Sequence, residues 1–361
     1  MKNNSEIIRV NGELVDGAVQ PYDPMAAAGQ AANHAAAKNI FGKYRERKAR
    51  STVVSQDRAL QHFAQFLGDA GVTGVDAVEL ATDPTSWQFV TWGLVEGFSE
   101  WLLQQGYSTS TVNNRLSAVR TYCKMAHKAG VLDTGEYKRI EAVKGLSRKE
   151  AARLDENREQ RGRPTRVSTK KEEPVTLTVE QVQLLLQQPT DTPQGRRDRL
   201  MMHLFLVHGL RVSEIAQLQV GDIILTRNAQ GAVVAGLLDF FRVKMAGTDE
   251  ERGKHILKNG TLAAAVEYLE NDALATGPLF RSSRKGGALV GAGMTARRLS
   301  ARVRVLGERV GVDGLTAHDC RHYAATAQAP KGVRHLMDQF GWTSPSTAMR
   351  YVEPTTVVEV E

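Results

Sequence analysis

Between Ser147 and Pro174 the chain reads "SRKEAARLDENREQRGRPTRVSTKKEEP", dense in charge and nearly devoid of large hydrophobic side chains. Such a stretch cannot bury enough apolar surface to offset the entropy lost on ordering it inside a core. It splits the apolar pattern in two, so the chain must build two cores rather than one. The length of 361 residues agrees, since single cores stop growing beyond about 250–300 residues. The expected organisation is a flexible arm over 1–22, a helical domain over 23–143, a charged linker with an exposed helix over 144–174, and a second domain over 175–361.

The first domain reads as helices. "AAAGQAANHAAAKNIFGKYRERKAR" is rich in alanine, which favours helix, and then turns basic. Lys43 and Arg47 there are candidate contacts for a polyanion, although a basic helix end equally suits the dipole. In "SQDRALQHFAQFLGDAG" the residues Leu60, Phe63, Phe66 and Leu67 share one helical face, and "SWQFVTWGLVEGFSEWLLQQG" repeats the theme. "YSTSTVNNRLSAVRTYCKMAHKAG" places Ser/Thr capping candidates before Val112, Leu116, Val119 and Cys123 at helical spacing. Its other face carries Asn113, Arg115, Arg120 and Lys124. A small helical bundle with one basic polar face is expected. With 47 Lys+Arg against 40 Asp+Glu, the net charge of +7 favours nucleic acid over an anionic membrane surface as partner.

Cys123 and Cys320 lie far apart and match no metal-ligand spacing, which points to a reducing compartment. The N-terminus has no apolar signal-like core and no run long enough to span a bilayer. The expected location is cytoplasmic, nucleoid-associated if bacterial.

The second domain mixes types. Helical patterns at "TLTVEQVQLLLQQ", "RDRLMMHLFLVHG" and "RVSEIAQLQVGDI" precede a β-like "GAVVAGLLDFFRVKM", a polar turn and a returning "KHIL"; helices are expected to dominate again from Thr261. The fold class is mainly α with a small β-sheet, α+β. Four features in it carry chemistry. In "HGLRVSE" a glycine turn delivers Arg211 to a helix start, and Glu214 three residues on can meet it, as a surface ion pair or in a site. In "LTAHDCRHYAAT" Thr316 caps a helix with Asp319 in the capping-box position, which places His318 and Arg321 at a helix N-terminus suited to an anion. Lys244 stands before the hairpin turn, with Lys254 across it a rival for the same role. "QFGWTSPSTAMRYVEP" holds Trp342 and Tyr351, either core aromatics or working groups. Together they offer cations and hydrogen-bond donors around one tyrosine, and no Asp/Glu cluster offers a metal site. The set suits a phosphodiester whose negative charge grows in the transition state, stabilised by fixed cations with no cofactor and with Tyr351 as nucleophile.

In this order the motifs resemble the tyrosine recombinase (phage integrase) family. The resemblance covers the second domain from "HGLRVSE" through "GWTSPSTAMRY" and extends more weakly to the helical domain. It implies a helical core-binding domain joined by the linker to a catalytic domain, closing as a clamp on double-stranded DNA that carries a specific recombination site. It also implies a homotetramer on two synapsed duplexes. Arg211 and Arg321 would grip the scissile phosphate bidentately, which lysine could not copy. Lys244 would protonate the leaving 5′-oxygen, His318 would assist proton movement at Tyr351, and Glu214 would orient the site. Attack by Tyr351 would form a 3′-phosphotyrosyl link, so that strands rejoin without ATP.

The chain departs from the family in three places. Trp342 stands where many relatives have histidine; indole donates a hydrogen bond but accepts no proton, which leaves His318 as the acceptor. The stretch from Arg321 to Trp342 is slightly short. The tail "VEPTTVVEVE" is too short for the terminal helix that relatives pass to a neighbour, and its β-type composition suggests a short strand packed in cis or on another protomer. An N-terminal arm-binding domain is not evident in residues 1–50. Two alternatives stand beside a site-specific recombinase: a DNA-binding protein of the same fold without catalysis, and a type IB topoisomerase-like enzyme acting on any supercoiled DNA.

Overall fold

Apolar side chains gather in two principal clusters, one spanning Phe41 to Ile140 and the other Leu177 to Cys320. The structure is a computed structural model that describes residues 8–10, 13–15, 23–160, 162, 175–242, 252–272 and 274–352. The chain divides into two compact units, Met1–Lys170 and Lys171–Glu361.

In the first unit, β1 (Ile8–Val10) and β2 (Glu13–Val15) pair antiparallel within the stretch expected to be a loose arm. The Asn-Gly pair at 11 and 12 was the signal for this hairpin. Eight helices follow: α1 (Pro24–Ala37), α2 (Ile40–Glu46), α3 (Arg50–Asp69), α4 (Ala77–Thr82), α5 (Trp92–Gln104), α6 (Thr109–Lys128), α7 (Thr134–Ala142) and α8 (Arg148–Gln160). Asp76, Thr91, Ser108 and Asp133 each cap the helix that follows by accepting its first free N–H groups, worth about 1 kcal/mol apiece. The core centres on the fully buried Trp87, whose Nε1 donates to the Leu80 carbonyl at 3.0 Å. Phe63 and Tyr122 stack on it with centroids at 5.7 and 5.8 Å. α8, expected to stand exposed, is pinned through Arg158, which donates to the carbonyls of Tyr107 and Leu103 at 3.0 and 2.7 Å.

The second unit contains α9 (Val179–Leu186), α10 (Pro193–Leu206), α11 (Val212–Ile215), β3 (Ile223–Arg227), β4 (Val233–Phe241), β5 (Arg252–Leu257) and α12 (Asn259–Asn271). After them come β6 (Arg281–Ser283), β7 (Leu289–Gly293), α13 (Ala296–Arg309), α14 (Ala317–Gln328), α15 (Val333–Phe340) and α16 (Pro345–Val352). α10 runs through the core with Leu200, Met201, Met202, Leu204 and Phe205 buried. The three-stranded sheet is antiparallel in the order β3-β4-β5, with Leu238 facing Ile223 on one side and His255 on the other. Side chains alternate along β4, so Leu238, Phe240 and the following Arg242 point inward while Phe241 is exposed.

One expectation fails here. The helix read over "RVSEIAQLQVGDI" is a single turn, because Leu218 and Val220 pair instead with a distant segment. The Leu279 N–H donates to the Leu218 carbonyl and the Val220 N–H to the Gly277 carbonyl, each at 2.9 Å. Helices dominate from Thr261 as expected, with the β6–β7 hairpin set among them. The positive φ values of Gly286 and Gly287 (98° and 89°) turn the chain between them. Lys244 and the tail over 353–361 lie outside the described residues. Among the described residues no helix is long and apolar enough to cross a membrane.

Candidate active site

Gly209 and Gly341 set the frame of the site. Gly209 adopts φ +62° and passes so close to Phe340 that an added Cβ would lie 2.2 Å from the ring. The turn it makes brings Arg211 to the start of α11. There the Glu214 carboxylate accepts from the Arg211 backbone N–H at 2.7 Å and from its guanidinium at 2.8 Å. Glu214 is buried, and Arg211 keeps part of its side chain open to solvent. Gly341 ends α15 in the left-handed region (φ +61°), which allows the Trp342 N–H to reach back to the Met337 carbonyl at 3.0 Å.

Arg321 is carried on α14, whose start is fixed by the capping box read from the sequence. Asp319 accepts from the Thr316 N–H at 2.9 Å, and the Asp319 N–H donates to the Thr316 hydroxyl at 3.2 Å. The Arg321 guanidinium is buried and donates to two carbonyls on separate segments, Gly209 and, at 2.7 Å, Phe340. It also lies 5.0 Å from the Phe340 ring centre and 5.7 Å from that of Trp342. Burial pushes its pKa down to about 10; Arg211 adds to that effect and Glu214 opposes it. A second guanidinium with too little compensating charge nearby is an arrangement that an anion would relieve.

Tyr351 ends a column of aromatic rings. Phe340 and Trp342 stack at 5.0 Å, and Trp342 and Tyr351 at 5.2 Å with their planes within 11°. The phenol is half-buried; burial raises its pKa, while Arg321 and then Arg350 pull it the other way. His318 is exposed, and the histidine ring in contact with Tyr351 is His322, with centroids 4.9 Å apart. Sequence reasoning missed His322 although it follows Arg321 directly and stands four residues after His318, hence on the same helix face. It also missed Arg242, whose signal was a charge at the inward phase of β4. The structure thus brings Arg211, Glu214, Arg321, Trp342 and Tyr351 together, while His318 is exposed one turn before His322 and Lys244 lies outside the described residues. Among the described residues no group of three or more His, Cys, Asp or Glu side chains converges to hold a metal ion.

In the first unit, the expected basic face of α6 is largely committed to intramolecular bonds. Asn113 exchanges two hydrogen bonds with the backbone of Leu146, both at 2.8 Å. Arg115 donates to His62 and to the Ser55 carbonyl, and Arg120 to the Glu141 carbonyl. Lys43, Arg47 and Lys124 are exposed.

Residues 175–356 match the phage integrase family and residues 34–144 match the phage integrase SAM-like domain. The tyrosine recombinase XerC of Herpetosiphon aurantiacus is 25% identical over 316 residues, covering 82% of this chain and 90% of that protein. XerC of Roseiflexus castenholzii is 26% identical over 275 residues, covering 74% and 75%. Two solved structures share the fold. The Tn1549 transposon integrase in complex with transposon right end DNA superposes with a TM-score of 0.56 at 15% identity, over 88% of this chain and 95% of that one. A lambda integrase dimer bound to a COC′ core site gives 0.55 at 13%, over 95% and 85%.

Proposed function

Because the chain belongs to the phage integrase family and is a site-specific DNA recombinase, we propose that Tyr351 cleaves the strand while Arg211 and Arg321 hold the scissile phosphate. The observation that carries this is the buried Arg321, locked by two carbonyls beside both Arg211 and the Tyr351 ring. A guanidinium held this way stabilises charge on a phosphate oxygen without reorganising at the moment of reaction. Glu214 orients Arg211 through its paired contacts with side chain and backbone.

The Tyr351 Oη attacks phosphorus, the bond to the 5′-oxygen breaks, and a 3′-phosphotyrosyl link forms. The phenolic proton passes to an imidazole, His318 or His322, and the leaving oxygen takes a proton from Lys244. Attack by another 5′-hydroxyl reverses the step and rejoins the strands, so one phosphodiester replaces another with no net bond energy spent. The Trp342 indole serves as a donor and stacking platform, since it accepts no proton. The partner is double-stranded DNA with a specific recombination site, bound by four copies of the chain. Exposed Lys43, Arg47 and Lys124 are the candidates for backbone contacts in the first unit.

The test is to incubate the protein with fragmented DNA of its source, denature, and recover DNA that stays attached. Sequencing that DNA yields the site, and a nicked version of it should then trap a covalent adduct on denaturing gels. The adduct must vanish in Tyr351→Phe; an adduct that persists there assigns the chemistry to another residue. Relaxation of plasmids lacking the trapped sequence would favour a topoisomerase.

A further inference from the structure

We propose that Arg242 is a positioning residue for strand cleavage: it holds the corner between α15 and α16, and so sets Trp342 against Tyr351. The inference rests on the proposed role of Tyr351 and adds a residue that none of the four motifs contains. Arg242 follows β4 at an inward position, where Leu238 and Phe240 precede it, and only 9% of it is exposed. Its Nη2 donates to the carbonyl of Asp338 at 2.8 Å and, more weakly, to that of Gln339 at 3.4 Å. Its guanidinium lies 5.5 Å from the Phe240 ring centre.

The contact is local to the turn that carries Trp342. An added Cβ on Gly341 would lie 2.1 Å from the Arg242 Nη1, so the guanidinium presses directly on the left-handed residue that ends α15. α15 has eight residues, too few to hold its own conformation without tertiary support. Its last carbonyls carry the negative end of the helix dipole and have no partners inside the helix. Arg242 takes those of Asp338 and Gln339, His255 meets that of Gln339 at 3.0 Å, and Arg321 takes that of Phe340. One helix end therefore links a phosphate-binding arginine, the Arg242 anchor and the indole on which Tyr351 stacks. Lysine cannot reproduce the whole arrangement, because Nη2 makes both bonds while Nη1 of the same planar group packs against Gly341, and an ammonium has no second nitrogen for that contact.

The experiment compares the full chain with Arg242→Lys and Arg242→Ala on the nicked site. With the corner loosened, covalent adduct formation should fall roughly 10- to 100-fold, while DNA affinity at fixed salt stays within about twofold because the lysine keeps the charge. A second readout is fluorine NMR on protein labelled with 5-fluorotryptophan. Of the four tryptophans only Trp342 lies in the second unit, and its resonance is assigned with Trp342→Phe. Arg242→Lys should move that signal and leave those of Trp87, Trp92 and Trp101 in place. Should Arg242→Ala not fold, the lysine variant decides alone. Wild-type cleavage and an unmoved Trp342 signal overturn the inference, and equal loss of binding and cleavage does so as well by making Arg242 a DNA-docking residue. A wild-type chain that forms no Tyr351-dependent adduct sinks the proposed chemistry instead, and the Trp342 signal still decides whether Arg242 holds the corner.

Discussion

Replacing Arg321 by lysine keeps the charge and removes the fork, and the structure gives the size of the effect. The guanidinium serves the carbonyls of Gly209 and Phe340 at once; one ammonium cannot occupy both places. A buried carbonyl left without its donor costs about 1–3 kcal/mol, so Arg321→Lys should lower unfolding stability by that amount. In the transition state the variant also loses one of two parallel donors to the phosphate, worth about 2.7–4 kcal/mol or roughly 10²–10³ in cleavage rate. The same burial that brings Arg321 down to about 10 would hold a lysine there below its ordinary value. The variant should therefore lose further activity as pH rises, at a lower pH than the wild-type arginine loses its charge. Single-turnover adduct formation on the nicked site, run beside gel-shift titrations at fixed salt, separates chemistry from binding. Cleavage within about fivefold of wild type would refute the bidentate role, and parallel loss of affinity and rate would make Arg321 a docking residue.

Three further outcomes are expected. His322→Ala should slow adduct formation by about 10²-fold with DNA binding retained, if the ring touching Tyr351 manages its proton; a rate unchanged in His322→Ala but lost in His318→Ala returns that role to His318. Burial lowers the pKa of His203 and His208 to about 4 and of His255 to about 3. Below pH 6.5 the unfolded chain takes up these protons and the folded one does not, so stability is complete above that pH and is lost as pH falls toward 4. Each histidine contributes a slope of about 1.4 kcal/mol per pH unit in that window, and a melting temperature flat from pH 7 to 5 would contradict it. Gly209→Ala combines a positive φ with a Cβ placed 2.2 Å from Phe340, and should destabilise by about 3 kcal/mol in urea titration; a change below about 1 kcal/mol would show that the corner yields.

Much of the molecule was legible because local rules and tertiary structure agree. The capping box at Thr316 and Asp319, the cap at Ser108, and the pairing of Arg211 with Glu214 follow from spacing along one helix face and from the free N–H groups of a helix start. The aromatic core around Phe63 follows from helical period alone. Order along the chain was enough to recognise the motifs, since each is contained within a few residues.

What escaped depends on segments far apart in sequence. The turn after α11 is short because Leu218 and Val220 find backbone partners at 277–279, which no local propensity encodes. Asn113, an outward polar residue by period, is drawn into a clasp with Leu146 because the chain folds back there and its amide pairs with half-buried backbone groups. Arg242 lies unremarked inside a β-like stretch, and its role appears only when the open carbonyl end of α15 is brought to it. Sequence by itself determined which groups are available for chemistry and which helices carry them, because those are properties of short range. Only the tertiary structure decided which guanidinium meets which carbonyl and which histidine meets the tyrosine, because hydrogen bonds and ring contacts act over a few ångströms between parts of the chain whose approach is set by the packing of a whole core.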